Sequence, residues 1–369
     1  MQRVTAGPLA TLLCLLGTFT IAFLTLGYPR LMPAPVLISV DTELTWRHYR
    51  PGAGWRVNFE RSIEPAGVGL TFQLETLARH RLNACFFVDP MPALLYGIEP
   101  IRRIVAPILA AGQEVQLHLH AVWHAVAQGR DPAGIELTSF DREEQRRLLA
   151  LGRDLLIKAG APPPTAFRGG SYAANADTLA ALAELGFTAD SSHNGSHHPC
   201  PSDLPLSPRT MAPVRVGGLV ELPVSQIAGR PGRLRHLQIC AVSGSELGAA
   251  LDHALANGHP LTTIVSHSFE LATRDGLRAN AVLKRRFELL CALLDRRRAD
   301  FPTFRFDRLD EIALGAEARP MPHRRLRTAR RVAEQLWAGT RYERPVEAAT
   351  ATCGSSVEGL ELLLPVLGL

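Results

Sequence analysis

Four groups of polar residues in this chain follow directly, or almost directly, on short apolar runs. They are Asp41-Thr42-Glu43, His118-Leu119-His120, Arg168 and His267. If the apolar runs are parallel strands, these residues lie at the carboxyl ends, where the loops of an α/β barrel converge on one mouth. A carboxylate with clustered histidines is a typical divalent-metal site. With a second carboxylate and a separate histidine, the set suits metal-assisted hydrolysis.

The elements that must position these residues alternate along the chain. Apolar β-branched runs predict strands, and amphipathic runs predict helices between them. The predicted strands are 36–41, 84–88, 113–118, 165–168, 187–190, 219–224, 236–242, 261–265 and 303–306. The predicted helices are 67–81, 100–111, 139–160 with Ser139 as its cap, 176–185 capped by Asn175, 245–257 and 278–299. Residues 42–66 and 193–213 are predicted to be loops, the first of them over the barrel mouth.

This alternation predicts an α/β fold with a parallel sheet. About seven strand–helix units favour a distorted (β/α)7 barrel over an open doubly wound sheet. No GxGxxG follows the first strand and no GxxxxGK[ST] occurs, so dinucleotide-binding and P-loop functions have no support.

Composition bounds the remaining possibilities. A chain of 369 residues with 46% hydrophobic and 20% charged residues is typical of a packed globular protein rather than a disordered one. The net charge of +5 comes largely from the basic stretch after residue 315, and we predict no nucleic-acid partner. The six cysteines show no CxxC spacing, which leaves zinc-finger and redox functions unsupported.

The two ends of the chain differ from its middle, and we predict domains at 1–31, 32–315 and 316–369. Residues 8–28 carry no charge and as a helix would span about 31 Å, enough to cross a bilayer. With Arg3 before them, they predict a single-pass anchor and a catalytic domain on the outer, periplasmic or extracellular face. A cleaved signal peptide, or a start at Met32 that would leave the protein cytoplasmic, are the alternatives. Residues 316–369 are predicted to be a basic tail, partly helical or disordered.

Seven segments in order resemble the polysaccharide deacetylases of carbohydrate esterase family 4, which share the nodulation-type chitooligosaccharide deacetylase homology domain. These segments are SVDTEL, ACFFV, GQEVQLHLH, FRGGSY, LGFTADSS, ELPVS and TTIVSHSFEL, and they span about residues 36–310. The resemblance implies a distorted, incomplete barrel of the polysaccharide deacetylase and glycoside hydrolase type with one divalent metal ion. It also implies hydrolysis of N-acetyl groups on an amino-sugar polysaccharide or oligosaccharide.

The resemblance assigns the metal site and the base. Asp41 would be the general base and Glu43 a metal ligand, although the family usually has adjacent acids here. The family's histidine pair is usually four residues apart, and the partner position of His118 is Val122 in this chain. We therefore expect two of three histidines to bind the metal, with His118 and His120 favoured over His124. Zinc suits this ligand set, with cobalt, nickel and manganese as alternatives.

The resemblance also assigns the groups around the reacting bond. Arg168 would hold and charge-balance Asp41, and the backbone N–H near Tyr172 would bind the oxyanion. Asp190 would orient the histidine or the arginine, its alternative being a helix-capping acid before Ser191. His267 would be the general acid. Trp46, in the loop over the mouth, would stack on a sugar ring or form a hydrophobic lid.

Two other functions remain open at the level of sequence. One is hydrolysis of a different small amide on the same fold. The other is a membrane-tethered glycan-binding protein whose catalytic site has decayed, which the altered acid pair and histidine spacing motivate.

Overall fold

The computed structural model describes residues 32–197, 200–229 and 232–342. The strands in this part of the chain are Val36–Thr42 (β1), Cys85–Val88 (β2), Glu114–Leu119 (β3), Ala166–Gly169 (β4), Ala174–Asn175 (β5), Ala189–Asp190 (β6), Ser202–Asp203 (β7), Val214–Val216 (β8), Leu219–Glu221 (β9), Gln226–Ala228 (β10), Leu234–His236 (β11) and Thr262–His267 (β12).

Eight of these strands form one curled sheet in the order β12-β1-β2-β3-β4-β6-β9-β8. All neighbours pair in parallel except β8 and β9, so seven strands share one direction and β8 alone runs against them. The predicted distorted, incomplete barrel is thereby confirmed as a half-barrel. Two short pairs, β10-β11 and β5-β7, lie outside the sheet.

Helices connect the strands. They are Trp55–Ser62 (α1), Leu70–Arg79 (α2), Ala93–Tyr96 (α3), Glu99–Ala110 (α4), Val122–Ala127 (α5), Arg142–Lys158 (α6), Ala176–Glu184 (α7), Gly244–Ala256 (α8), Ala281–Arg296 (α9) and Arg325–Tyr342 (α10). Short 3-10 turns occur at Trp46–His48, Pro65–Gly67, Leu137–Ser139, Gly170–Tyr172 and Phe306–Glu311.

The side chains of the sheet alternate between two apolar clusters, as the two-residue period of a strand requires. In β1, Val36, Ile38 and Val40 belong to the main core cluster, whereas Leu37 belongs to a second, smaller cluster with Phe87 of β2. Ser39 and Asp41 lie on the same face of β1 as Leu37, so this face changes from apolar to polar along the strand. The smaller cluster therefore forms the base on which the polar site rests.

The cap of the long helix α6 differs from the prediction. Asp141, not Ser139, accepts a hydrogen bond from Glu144 N at 2.9 Å, and the helix begins at Arg142. Ser139 lies in a separate 3-10 turn, where its hydroxyl accepts the Glu136 N–H. The predicted cap of α7 is confirmed, because Asn175 Oδ1 accepts the Thr178 N–H at 2.9 Å.

Residues 42–66, predicted to be a loop, contain α1. This helix is polar and lacks a clear apolar stripe, which is why periodicity does not reveal it. It is held instead by buried hydrogen bonds: Asn58 Nδ2 donates to Thr45 O, and Ser62 Oγ donates to Asn58 Oδ1. Residues 55–62 are consequently a hydrogen-bonded helix rather than an open loop.

Two predicted strands are wrong at their stated bounds. Residues 303–306 form no strand, because Thr303 makes one isolated bridge to Val36 and the chain then turns into a 3-10 helix. In the predicted strand 236–242, only His236 belongs to a strand, β11, which spans Leu234–His236. Gln238 makes a single bridge to Val265, which places this segment beside β12. The predicted loop 193–213 also contains the two-residue strand β7.

Within the described part of the predicted tail, Arg325–Tyr342 form a basic helix, α10. Glu334 of this helix accepts a hydrogen bond from the buried Arg286 at 3.0 Å, and Arg331 Nε lies 3.6 Å from Glu246 Oε2. The predicted anchor, residues 1–31, lies outside the described residues. Across 32–342, apart from the two short gaps, no helix is both long and apolar enough to cross a membrane.

Two helical glycines provide a stability test of how tightly the helices pack on the sheet. A Cβ at Gly152 of α6 would lie 3.2 Å from Leu117 Cδ1 and 3.3 Å from Leu119 Cδ1 of β3, whereas one at Gly248 of α8 would meet its nearest atom at 3.8 Å. Gly248→Ala should raise the free energy of unfolding by about 0.5–1 kcal/mol. We expect a smaller gain, or a loss, for Gly152→Ala because the side chains of Leu117 and Leu119 must move to admit the methyl group. Urea unfolding measures both, and equal gains would contradict tight packing of α6 on β3.

Candidate active site

The parallel register brings the predicted residues to one end of the sheet. Asp41 of β1 is paired with His267 of β12, and His118 of β3 is paired with Arg168 of β4. These strand ends surround a cavity of about 200 Å³. Its walls are formed by Asp41, Glu43, His118, His120, Gly169, Ser171, Tyr172 and His267.

Glu43, His118 and His120 form a cluster with the geometry of a metal site. One ligand atom from each lies within 4.8 Å of the other two. Glu43 Oε2 is 2.5 Å from His120 Nε2 and 3.8 Å from His118 Nε2. Two imidazole nitrogens and a carboxylate oxygen are a ligand set that zinc and related divalent ions accept.

His118 is prepared to act as a ligand. Its Nδ1 lies 2.7 Å from the carbonyl oxygen of Arg168, which can only accept, so Nδ1 carries the hydrogen and Nε2 presents its lone pair to the cluster. Burial lowers the pKa of His118 to about 4, against the opposing effect of Asp41, so the ring is neutral at pH 7. A neutral imidazole whose second nitrogen donates to a carbonyl is the usual arrangement of a metal-bound histidine.

Glu43 and His120 form an ion pair in the metal-free protein. Burial disfavours the charged form of each, but their mutual attraction outweighs it. The pKa of His120 consequently rises to about 10, and that of Glu43 falls to about 2. A divalent cation would replace the proton that the two side chains share at 2.5 Å. The three residues therefore fit a divalent metal ion.

Arg168 lies behind the cluster and holds Asp41. Its guanidinium is fully buried and stacks 4.4 Å from the centre of the Phe87 ring. Nη1 donates to Asp41 Oδ1 at 2.7 Å and to Ser39 Oγ at 2.9 Å. Nε and Nη2 donate to the carbonyl and the hydroxyl of Ser191. Because Arg168 occupies Oδ1, the other carboxylate oxygen of Asp41 remains toward His267, whose Nε2 is 3.8 Å away.

The turn after β4 has a strained backbone. Ser171 and Tyr172 both have left-handed φ angles, 51° and 62°, which non-glycine residues adopt only at a cost. Their strain is concentrated on the cavity wall. Tyr172 itself is buried, and its hydroxyl has no hydrogen-bond partner within the described residues. Strain at this place is consistent with a backbone held for binding rather than for stability.

Asp190 does not make the contact that was predicted for it. Its Oδ1 accepts a hydrogen bond from Ser192 Oγ at 2.7 Å, and across the sheet it is paired with Glu221 of β9. Burial and the neighbouring Asp190 raise the pKa of Glu221 well above its usual value. Arg168 instead donates to the carbonyl and hydroxyl oxygens of Ser191, the residue directly after β6. Successive side chains of an extended segment point to opposite sides, so Asp190 faces away from Arg168.

Two further predicted residues lie away from the cavity. His124 is in α5, where its Nε2 lies 3.3 Å from Glu144 Oε1, and it is not part of the ligand cluster. Trp46 is 38% exposed and does not line the cavity. It stacks on Tyr49 with ring centres 4.7 Å apart and meets the edge of the buried Trp123 at 5.6 Å.

Several residues that support the site were missed from sequence. Ser39 precedes Asp41 by two residues on the same strand, so strand alternation could have found it. Asp89 directly follows β2, which is the same strand-end signal that marks Asp41, and its carboxyl is buried near His120. Gln238, which contacts the ring of His267, and Glu270, which accepts a hydrogen bond from Gln238, carry no local signal.

Among solved structures, the chain is similar over most of its length to members of carbohydrate esterase family 4. A candidate polysaccharide deacetylase from Mycobacterium smegmatis aligns at 20% identity with a TM-score of 0.48, over 80% of this chain and 97% of that one. A family 4 carbohydrate esterase from Streptomyces lividans, solved with acetate, aligns at 12% identity with a TM-score of 0.42. This alignment covers 77% of this chain and 98% of that one. A variant of a family 4 pseudoenzyme aligns at 11% identity with a TM-score of 0.40, over 75% of this chain and 67% of that one. No family model and no curated protein matches the sequence. These similarities concern the fold alone.

Gly170→Ala should weaken metal binding. A Cβ at this position would lie 2.5 Å from His120 Nδ1, so the imidazole must leave its place in the cluster. We expect zinc affinity, measured by competition with a chromogenic chelator, to fall about 10- to 100-fold. Gly54→Ala is the control, since no atom lies within 4 Å of its added methyl group. Unchanged affinity in Gly170→Ala would show that His120 is not a ligand.

Zinc binding at pH 6 should release about one proton. His120, with a pKa of about 10, is protonated in the metal-free protein, whereas His118 and Glu43, at about 4 and about 2, are not. Zinc requires the neutral ring, and a zinc-bound water with a pKa of about 7 contributes little at this pH. Titration calorimetry in buffers of different ionisation enthalpy counts the protons. His124→Ala should release the same number, while zero release would contradict the ion pair.

Proposed function

We propose that this chain is a metal-dependent hydrolase that removes N-acetyl groups from an amino-sugar polysaccharide or oligosaccharide. One observation carries the proposal. The Glu43-His118-His120 cluster, the Asp41 carboxylate held by buried Arg168, and the ring of His267 all face the same cavity. A ligand cluster beside a carboxylate of fixed orientation is what amide hydrolysis by an activated water requires.

The three ligands would hold one divalent ion, for which zinc is our first choice. When bound, that ion supplies Lewis acidity toward the acetyl carbonyl and toward the attacking water. The remaining chemistry belongs to the side chains and the backbone around the cavity.

Asp41 is the general base in this proposal. Its Oδ1 is occupied by the guanidinium of Arg168 at 2.7 Å, so Oδ2 is the atom that accepts the proton of water. Arg168 fixes the orientation of the carboxylate and balances its charge in a place where neither group is exposed to solvent.

In this proposal, the oxyanion and the leaving group are stabilised by two other parts of the cavity wall. The left-handed turn at Ser171 and Tyr172 brings backbone to the cavity wall, and we propose that an N–H of this turn stabilises the oxyanion. His267 lines the same cavity and is proposed as the donor toward the leaving nitrogen. Trp46, exposed at 38% and backed by Tyr49, is proposed as a platform for a sugar ring.

The same proposal includes the setting of the enzyme. The charge-free stretch at 8–28 supports a membrane anchor that would place residues 32–315 on the outer face of the membrane. The glycans that such a domain meets are cell-surface polysaccharides. Separation of membrane and soluble fractions of cells that express the full chain tests this part, and recovery of the protein in the soluble cytoplasm would contradict it.

Loss of the base tests the reaction. We expect Asp41→Asn to lower acetate release from N-acetylglucosamine oligomers by at least about 100-fold, because a general base contributes that much. Zinc content should be retained, since Asp41 is not a ligand. The control is Asp154→Asn, which replaces an exposed carboxylate on α6.

Because Asp41→Asn also breaks a buried ion pair, its thermal unfolding is measured in parallel. If the variant does not fold, removal of zinc from the wild type with a chelator and its return provide the second test. Activity that survives complete zinc removal, or a wild type that binds zinc and releases no acetate, would overturn the proposal. Turnover of another amide in place of acetylated sugars would do the same.

A further inference from the structure

The side chain of Gln238 lies between Glu270 and the Nδ1 edge of the His267 ring. Gln238 Nε2 is 2.7 Å from Glu270 Oε1 and 3.2 Å from His267 Nδ1. The glutamine is thus in contact with the nitrogen of His267 that faces away from Asp41, since Nε2 is the atom 3.8 Å from the Asp41 carboxylate.

The backbone fixes this arrangement. Residues 237–239 run beside β12, where Val265 N donates to Leu237 O at 2.9 Å and Ile239 N donates to Val265 O at 3.1 Å. His267 is the last residue of that strand. Glu270 is buried, and its N–H lies 3.3 Å from the carbonyl oxygen of His267. Gln238 and Glu270 therefore reach His267 from two segments that are both tied to β12.

The direction of each hydrogen bond follows from Glu270. Its Oε1 also accepts the N–H of Cys240 at 3.2 Å, and an oxygen of a carboxylate only accepts hydrogen bonds. The Gln238 atom 2.7 Å away must then be the amide nitrogen, because the amide oxygen would face another acceptor. The second hydrogen of that amide points to His267 Nδ1. Nδ1 must therefore offer a lone pair, and the single hydrogen of the neutral ring resides on Nε2.

We propose that Gln238, anchored by Glu270, is a positioning residue that holds His267 as the neutral Nε2–H tautomer. The inference rests on the proposed deacetylase function, which it deepens. In this arrangement His267 presents one hydrogen to the cavity and has none on Nδ1. The general-acid role expected from sequence requires an imidazolium ring, whose Nδ1–H would meet the N–H of Gln238. His267 is instead a hydrogen-bond donor to the leaving nitrogen or the oxyanion.

Proton transfer then belongs to Asp41 alone. One O–H bond of water breaks, its proton moves to Asp41 Oδ2, and the water oxygen forms a bond to the acetyl carbon. As the C–N bond breaks, the same proton moves from Asp41 to the amine. His267 keeps its Nε2 hydrogen throughout. The products are the free amine of the sugar and acetic acid, which then loses its remaining proton to solvent and becomes acetate.

The tautomer can be observed without any measurement of activity. We would record two-dimensional ¹H–¹⁵N spectra of the imidazole rings in the ¹⁵N-labelled full chain, with zinc bound, and assign His267 by the signals missing in His267→Gln. The wild type should show the Nε2–H pattern. Gln238→Leu should give a mixture of tautomers. Gln238→Glu should invert the pattern to Nδ1–H, because a carboxylate accepts where the amide donated.

Activity provides the second readout. Gln238→Leu should lower kcat about tenfold with little change in KM, as expected for the loss of one hydrogen bond made near the transition state. The matched control is Gln335→Leu, since Gln335 contacts Cys240 O on the same segment at 3.5 Å but not His267. That variant should leave both the tautomer and kcat unchanged.

The outcomes separate this inference from the proposed function. An Nδ1–H ring or an imidazolium in the wild type, or a pattern that Gln238→Leu leaves unaltered, overturns the role of Gln238 even if acetate is released. If the Nε2–H pattern depends on Gln238 but the wild type releases no acetate, the positioning role stands and the deacetylase function fails.

Discussion

The buried contact between Arg168 and Asp41 is the constraint on which the rest of the site depends. A guanidinium with no solvent exposure is stable only if its hydrogens meet acceptors and its charge meets a partner. Arg168 belongs to β4, its acceptors Asp41 and Ser39 belong to β1, and its acceptor Ser191 follows β6. The hydrogen bonds of this one side chain therefore fix three segments of the sheet relative to one another. The same residue acts through its backbone, since its carbonyl oxygen accepts the hydrogen of His118 Nδ1. The base and a metal ligand are therefore oriented by one residue, and any shift of β4 moves both.

Space as well as attraction determines the position of His120, which pairs with Glu43 on one side and meets residue 170 on the other. The ring lies where a Cβ of residue 170 would be, so only glycine permits the contact. The adjacent turn takes left-handed φ angles at Ser171 and Tyr172, without glycine at either position. Two successive non-glycine residues with left-handed φ angles cost free energy, which interactions elsewhere in the fold must offset. The buried network around Arg168 and the packing of Tyr172 with Val224 and Val265 provide that compensation.

Sequence predicts the parts of this protein that depend on short-range pattern. The ends of buried strands can be predicted, because such a strand is a continuous apolar run and the first polar residue after it stands out. Four strand ends are marked in this way, by Asp41, His118, Arg168 and His267. Helix α1 is not readable, since hydrogen bonds through Asn58 and Ser62 replace an apolar stripe. The pairing of Asp190 with Ser192 and Glu221 depends on which face of β6 each residue takes, and a two-residue strand contains too little pattern to show it. Gln238 reaches His267 across 29 residues of chain, a separation at which no periodicity operates.

The basic helix α10 also belongs to this arrangement. Arg286 of α9 is buried and donates to the carbonyl oxygens of Ile239 and Cys240 at 3.0 Å each, directly after Gln238. Its charge is met by Glu334 of α10 at 3.0 Å. Without that carboxylate, a buried guanidinium would be left with neutral acceptors only, which is costly. Helix α10, which was predicted from composition to belong to a tail, therefore stabilises the segment that orients His267.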